Sequence, residues 1–276
     1  MSYQDDLKKH LTEYKLRHLG VSEPGVFRYR GRDVQHDHIL PAGQSVANLL
    51  SEAEPAASAF LAACPGKRHK YFHHLNSSQA FAFNLFFSYF NGEPESAAAL
   101  LRALGQDGIL AEWEPEKVPV KEEETNIDVF WATSDGVRTF CEVKLSEADF
   151  GTANDDDRHR EKLACIYSPI LAGHLDPARL QPLAFFAAYQ FNRNIWHMVR
   201  SDVQSRLIFL LPRSNTVLWA MLQKMLVGVV PGTRKRISAV AIEDVITALC
   251  ADERCPKAFR AYARKIEQKY LLPAVN

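Results

Sequence analysis

Three side chains in the middle of the chain have the types and the spacing to hold a cation and act on a phosphodiester: Asp128, Glu142 and Lys144. Asp128 lies in Asn126-Ile127-Asp128-Val129-Phe130-Trp131, and the other two lie in Thr139-Phe140-Cys141-Glu142-Val143-Lys144-Leu145. Both segments are rich in strand formers, and Ser134-Asp135-Gly136 between them is a hairpin turn signal. A three-residue loop with Gly136 in the left-handed region pairs Thr133 with Val137 and sets Asp128 opposite Glu142. A two-residue loop on Asp135-Gly136 would set Asp128 opposite Val143 instead. In the first register the two carboxylates share a face, with β-carbons roughly 4.5–5.5 Å apart. Lys144 joins them two residues along the strand. The other face carries Val129, Trp131, Cys141, Val143 and Leu145, a core-facing set.

Like charges directly opposite each other destabilise a strand pair, so the juxtaposition makes better sense with a divalent cation between the carboxylates. Oxygen-only ligation favours Mg²⁺ or Mn²⁺ over zinc. Such an ion lowers the pKa of a bound water and stabilises charge on a phosphoryl oxygen. Lys144 could orient or deprotonate the attacking water, or neutralise the developing charge. That is the chemistry of phosphodiester hydrolysis. The plain alternative is an exposed ion pair on the wet side of an antiparallel sheet. Acidic-x-Lys also occurs at Asp6/Lys8, Glu13/Lys15 and Glu267/Lys269, in helical stretches near the termini where it reads as a solvated face. The aligned Asp128 and the apolar flanks set Glu142/Lys144 apart.

A sheet has to position the trio, and the surrounding pattern supplies one. Helices are expected within residues 1–24, over 45–64 (ended by Cys64-Pro65-Gly66), over 77–90 (stopped by Asn91-Gly92) and over 94–104. Strands are expected over 26–30 and 109–115, beside the hairpin. Residues 154–160 read as an acidic, polar loop, 182–200 as a helix, and 205–212 as a fully apolar strand of the kind buried inside a sheet. The tail alternates helix (216–227), strand (237–242) and helices (243–251 and 256–271). The whole predicts a single α/β domain over 1–276.

Composition bounds the partners. The chain has 276 residues, of which 47% are hydrophobic and 24% charged, which excludes intrinsic disorder, collagen-like repeats and coiled coil. Lys plus Arg and Asp plus Glu number 33 each, so any polyanion site must be a local patch on a neutral whole. Five cysteines without a CxxC pair read as reduced thiols. With no signal-like N-terminus and no apolar run near the ~20 residues that cross a bilayer, the expectation is a soluble cytoplasmic protein with no membrane partner.

Asn126-Ile127-Asp128, a hairpin, then Glu142-Val143-Lys144 resembles the PD-(D/E)XK superfamily of restriction-endonuclease-like nucleases. The resemblance implies a core of a helix, three antiparallel strands, a helix and a further strand: here helix 77–90, strands near 109–115, 127–132 and 138–145, helix 182–200 and strand 205–212. It covers roughly 70–212 and implies a mixed sheet flanked by helices, with 1–69 and 213–276 as N- and C-terminal helical additions. It further implies Asp128 and Glu142 as metal ligands and Lys144 as the residue that positions the nucleophilic water. Gln79 is its auxiliary from the first core helix, and Gln190 a second from the later one. Ile127 stands where the family name has Pro, and Gln79 stands where many members carry an acidic residue.

Other residues are weighed beside this core. Asn76-Ser77-Ser78-Gln79 also fits a capping box, with Asn76 as the cap. Lys67, Arg68 and Lys70, with Tyr71 and Phe72, could grip phosphates; Arg28, Arg30 and Arg32 form a second basic segment, and Arg193 a further contact. Glu124 shares the parity of Asp128 and could add a carboxylate. His36-Asp37-His38 and His73-His74 offer zinc ligands, but no Cys or Glu pattern completes a site. The sequence therefore predicts a Mg²⁺- or Mn²⁺-dependent endonuclease acting on DNA, with RNA as the other substrate and a homodimer as one form. The alternative is a nuclease-like fold serving only as a nucleic-acid-binding or scaffolding module.

Overall fold

The computed structural model describes residues 2–29 and 31–273, so Arg30 of the second basic segment lies outside them. Contacts within the chain divide it into two compact units, one of Met1–Ile109 with Ile242–Asn276 and one of Leu110–Ala241. The elements of the expected nuclease core are shared out between these units. The helix Ser78–Phe90 belongs to the first, and every strand of the expected core to the second.

The first unit is mainly helical, with one hairpin of β1 (Gly25–Tyr29) and β2 (Arg32–His36). The helix Ser78–Phe90 is apolar nearly all round, and every residue of it after Ser78 is buried, as such a composition requires. Its N-cap is Ser77, whose hydroxyl accepts from the Ala80 N–H at 3.3 Å. The cap expected at Asn76 thus lies one residue later, at Ser77, no capping box forms because Ala80 stands at N3, and Gln79 is released for another task. The expected helix over 45–64 is broken: a short 3-10 turn (Ser45–Asn48) and the helix Glu54–Ala63 flank an extended Leu49. The break follows from a buried polar network. Asn48 donates through Nδ2 to the Phe72 and His74 carbonyls, and the Leu50 N–H donates to Oδ1 of Asn84 at 2.7 Å. Residues 48–50 therefore make hydrogen bonds that a continuous helix would deny them.

The same network holds an ammonium. Lys269, on the helix Lys257–Tyr270, is fully buried and donates to the carbonyl and to Oδ1 of Asn48.

The second unit is built on a five-stranded mixed sheet in the order β3 (Leu110–Lys117), β4 (Ile127–Thr133), β5 (Arg138–Val143), β6 (Arg206–Leu211), β7 (Ile237–Ala241). The first three strands are antiparallel, and β5–β6 and β6–β7 are parallel. Parallel neighbours need crossover helices; Tyr189–Ser201 lies on the first crossover and Thr216–Val227 on the second. The fold class is α/β, a mixed sheet flanked by helices. An aromatic core fills it, with Phe130, Phe140, Phe150, Tyr167, Phe191 and Phe209 all buried.

Two segments of this unit differ from the sequence reading. The expected helix 182–200 is two helices, Pro182–Phe186 and Tyr189–Ser201, separated where Ala188 leaves the helical region. The acidic stretch is a helix start rather than a loop: Asp156 accepts from the His159 N–H and caps Asp157–Lys162. Among the described residues no helix is long and apolar enough to cross a membrane.

Lys269 generates a prediction on stability. Burial alone brings its pKa down from the ordinary lysine value to about 7, whereas the unfolded chain keeps that proton to about pH 10. The folded protein therefore carries its full penalty below pH 7, and stability rises from there to about pH 10, by up to about 1.4 kcal/mol per pH unit. Lys269→Met should flatten that rise. Urea midpoints of both proteins at pH 7 and pH 9 measure it, and a variant with the wild-type slope contradicts it.

Candidate active site

The site begins at the turn. The Thr133 N–H donates to the Val137 carbonyl at 3.0 Å and the Gly136 N–H to the Thr133 carbonyl at 2.9 Å, with Gly136 at φ 86°. This is the three-residue loop, and it forces Val129 opposite Cys141, Phe130 opposite Phe140 and Trp131 opposite Thr139. One step further the same count sets Asp128 against Glu142. Backbone pairing ends at Val129–Cys141, and there Asp128 takes over: its Oδ2 accepts the Val143 N–H at 2.8 Å.

Glu142 is 2% exposed and Lys144 7%, which overturns the reading of an exposed ion pair on a wet sheet face. Their side chains meet at 2.8 Å. The face is closed by the helix Tyr189–Ser201, which runs against β5 in the opposite sense. Gln190 accepts from Lys144 Nζ at 2.8 Å, and Asn194 donates to Glu142 Oε2 at 2.8 Å. His197 stacks on Phe140 with ring centroids 6.3 Å apart, and Ser201 accepts from Arg138 at 3.3 Å. Residues 190, 194, 197 and 201 fall at i, i+4, i+7 and i+11, a single stripe of an α-helix. Each answers one residue of the strand's inner face in turn.

Electrostatics follow from this closure. Burial and the neighbouring charges of Glu142 and Glu116 push the Asp128 carboxyl well above its usual range, against the pull of Lys144 and the Val143 N–H. Burial opposes ionisation of Glu142 too, but Lys144, Arg193 and Asn194 outweigh it and bring its pKa down. Burial works against the charge on Lys144, yet Glu142, Glu147 and Asp128 prevail and raise it. Lys144 is therefore a firmly protonated ammonium. It can neutralise charge or donate a hydrogen bond; it is a poor base at neutral pH.

Glu116 is a carboxylate that the sequence reading missed. Pro115 pairs with Val129 and Lys117 with Ile127, which puts Glu116 of β3 opposite Asp128. Glu116, Asp128 and Glu142 thus stand in a row across three strands. Glu116 has a positive φ of 51°, is 8% exposed and accepts from Asn126 at 3.0 Å. Nothing local marks it, because the loop from residue 118 to 126 is too long for a register to be counted across it. Asn194 was also missed, although it lies one helical turn beyond Gln190. Gly151 is a third: at φ +76° it packs so close to Gln190 that a β-carbon there would lie 2.5 Å from the carboxamide.

The remaining sequence-predicted residues have other partners. Gln79 lies in the other unit, where its amide accepts from the His69 N–H and donates to the Lys67 carbonyl, both at 2.8 Å. It fastens the basic loop in which Arg68 and Lys70 are exposed and Lys67 is partly so. Arg193 is not a surface contact as expected. It is 8% exposed and donates to the Asn126 carbonyl and Asn194 Oδ1. Glu124 is exposed and pairs with Arg158 at 3.5 Å; the fully buried acid beside it is Glu123.

Among the described residues no group of three or more His, Cys, Asp and Glu side chains is arranged to hold a metal ion. Magnesium is commonly bound through only one or two carboxylates, with waters and substrate phosphates completing its shell. An opposed pair of carboxylates, one pushed up by the other's charge, is a donor set that a divalent cation would relieve. Asp128 and Glu142 are oxygen donors of the kind such an ion takes.

Removing Asn194 tests the closure. Asn194→Ala leaves Glu142 Oε2 buried without its donor, which should lower stability by about 1–3 kcal/mol. Urea unfolding measures this, and an unchanged midpoint would show that the contact contributes nothing.

Compared with known proteins, residues 8–271, nearly the whole chain, match the model of one family, described as Restriction Endonuclease associating with ARP. No curated protein matches the chain, and no solved structure does.

Proposed function

This chain belongs to the Restriction Endonuclease associating with ARP family, and from that premise we propose that it is a metal-dependent nuclease of PD-(D/E)XK type that hydrolyses phosphodiester bonds in DNA. The observation that carries the reading is the register of the β4–β5 hairpin. It brings Asp128 and Glu142 together with Lys144 on one sheet face beside a polar helix stripe.

Asp128 and Glu142 would hold Mg²⁺ or Mn²⁺. When bound, the ion would supply Lewis acidity toward a phosphoryl oxygen and toward water. The chain's own groups do the rest. Gln190 and Glu142 fix the Lys144 ammonium from two sides, so that its charge is aimed rather than free to search, and it stabilises negative charge developing on the phosphoryl group. Because it stays protonated, Lys144 orients the attacking water instead of taking its proton. Asp128 is the half-buried member of the trio. Lys67, Arg68 and Lys70 offer phosphate contacts on a loop that Gln79 holds in shape. The family's description also names an association with ARP, and we extend that to this chain as an ARP partner.

A second reading has its own support. Both oxygens of Glu142 are taken by protein donors, Lys144 and Asn194, and the residue is almost sealed. A nuclease-like module that binds nucleic acid without cutting it would keep such a closed pair.

Nicking of supercoiled plasmid with Mn²⁺ separates the two. The nuclease reading expects nicking that depends on the metal and falls about a hundredfold or more in Asp128→Asn and in Lys144→Ala, with both variants folded by circular dichroism. Equal nicking by wild type and both variants contradicts the site. DNA binding without any nicking selects the non-catalytic module.

A further inference from the structure

Outside the trio, the second unit contains a buried acid–histidine pair beside a cavity. Glu123 is fully buried. One of its oxygens accepts from the Tyr167 hydroxyl, and the other from Thr125 and from His197 Nε2, the last at 3.4 Å. Burial alone would raise its pKa, but the hydrogen bonds from His197, Thr125 and Tyr167 outweigh that and bring it to about 2. Glu123 is therefore an anion that can only accept. His197 must donate its Nε2 proton to it, and burial keeps the imidazole neutral by lowering its pKa. The opposite nitrogen, Nδ1, is then a bare acceptor. It is buried and has no hydrogen-bond partner among the described residues. An orphaned acceptor on a ring 2% exposed is costly unless something meets it.

His197 lines a cavity of about 290 Å³. Phe130 and Phe140 form its apolar floor, and Lys117, Arg138 and Arg200 bring three cations to its rim against the single carboxylate of Glu112. The cations are available. Arg138 is half exposed and only loosely paired with Asp202 at 3.8 Å, and Lys117 pairs with the exposed Glu114 at 3.4 Å; such surface pairs are worth little. The cavity thus offers three cations, apolar walls and, in its lining, a histidine whose Nδ1 is buried and unmet. Its volume suits a small ligand with an aromatic ring and a phosphate.

Its place is as informative as its lining. Phe140 stands two residues before Glu142 on β5 and Phe130 two residues after Asp128 on β4, on the same face, so the cavity floor lies about 7 Å along the sheet from the carboxylate pair. That is about two base rises of a nucleic-acid strand. We propose that this cavity is a nucleotide subsite. It takes the phosphate on Lys117, Arg138 and Arg200, and, with the lining opened by the ligand, the base or sugar donates to His197 Nδ1. The nucleotide belongs to the substrate strand beside the scissile bond; a free nucleotide of the same chemistry is the other source. The strand assignment rests on the nuclease reading, while binding by the cavity does not require cleavage.

The test uses the full chain in EDTA, so that cutting plays no part. Binding of deoxyadenosine monophosphate is measured by calorimetry, and binding of a labelled single-stranded oligonucleotide by anisotropy across a salt series. The double variant Arg138→Gln/Arg200→Gln changes only exposed residues; His197→Leu removes the acceptor, and His197→Gln restores one. The rim variant should bind both probes at least about tenfold more weakly, with a log–log salt slope for the strand reduced by about 1.4, two contacts at ~0.7 each. The mononucleotide should also compete with the strand. Loss of mononucleotide binding with the strand unaffected supports the cavity and makes its ligand a free nucleotide. Wild-type binding of both probes by the rim variant and by folded His197→Leu overturns the subsite and leaves the nuclease reading standing. A wild-type protein that binds neither probe overturns the subsite as well. Absence of both strand binding and Mn²⁺-dependent nicking, with mononucleotide binding kept, defeats the nuclease reading alone.

Discussion

The inner face of β5 is a charged strand that the fold buries, and that constraint organises the second unit. A carboxylate and an ammonium taken out of water are costly unless every donor and acceptor finds a partner. The helix Tyr189–Ser201 supplies partners at helical spacing: Gln190 for Lys144, Asn194 for Glu142, His197 for Phe140, Ser201 for Arg138. Eleven residues of helix rise roughly 16 Å and six residues of strand extend roughly 20 Å, so the two ladders keep step over this length. Gly151 secures one end, since only a residue without a β-carbon leaves room for the Gln190 amide. Displacing the helix would strand two buried charges together.

This closure bears directly on chemistry. Glu142 and Lys144 neutralise each other, and Asp128, facing Glu142 and Glu116, is left as the carboxyl that resists ionisation. A cation entering between Asp128 and Glu142 would have to take an oxygen of Glu142 from Lys144 or Asn194. Lys144 would still hold its contact to Gln190. The ammonium could thus turn from its carboxylate toward a phosphoryl oxygen without becoming unpaired. That gives a concrete meaning to a preformed but closed site.

What the sequence made legible was governed by short-range rules. Gly136 in a three-residue loop dictated the register, and the register dictated that Asp128, Glu142 and Lys144 share a face. The apolar run of β6 from Leu207 to Leu211 was legible because a strand covered on both sides has no polar period to hide. The misses lie where a distant residue decided the outcome. The helix over 45–64 breaks because Asn84, far along the chain, offers Leu50 an acceptor. Gln79 read as a site residue or a cap; it is not the cap, and its amide holds the loop of Lys67 and His69, a contact no local pattern announces. Arg193 looked like a phosphate contact, but it lies on the buried side of its helix. Asn194 was within reach: once Gln190 was placed on the strand-facing stripe, the residue four further on had to share it.

The central claim is that Asp128 and Glu142 form one cation site. It is tested most directly by a crystal soaked in Mn²⁺ and measured at the manganese absorption edge. The account predicts one strong anomalous peak within coordination distance of an oxygen from each of the two carboxylates, with Glu142 turned from Lys144 or Asn194 to reach it. A soaked crystal with no peak there, and with Glu142 still closed on Lys144, would contradict it.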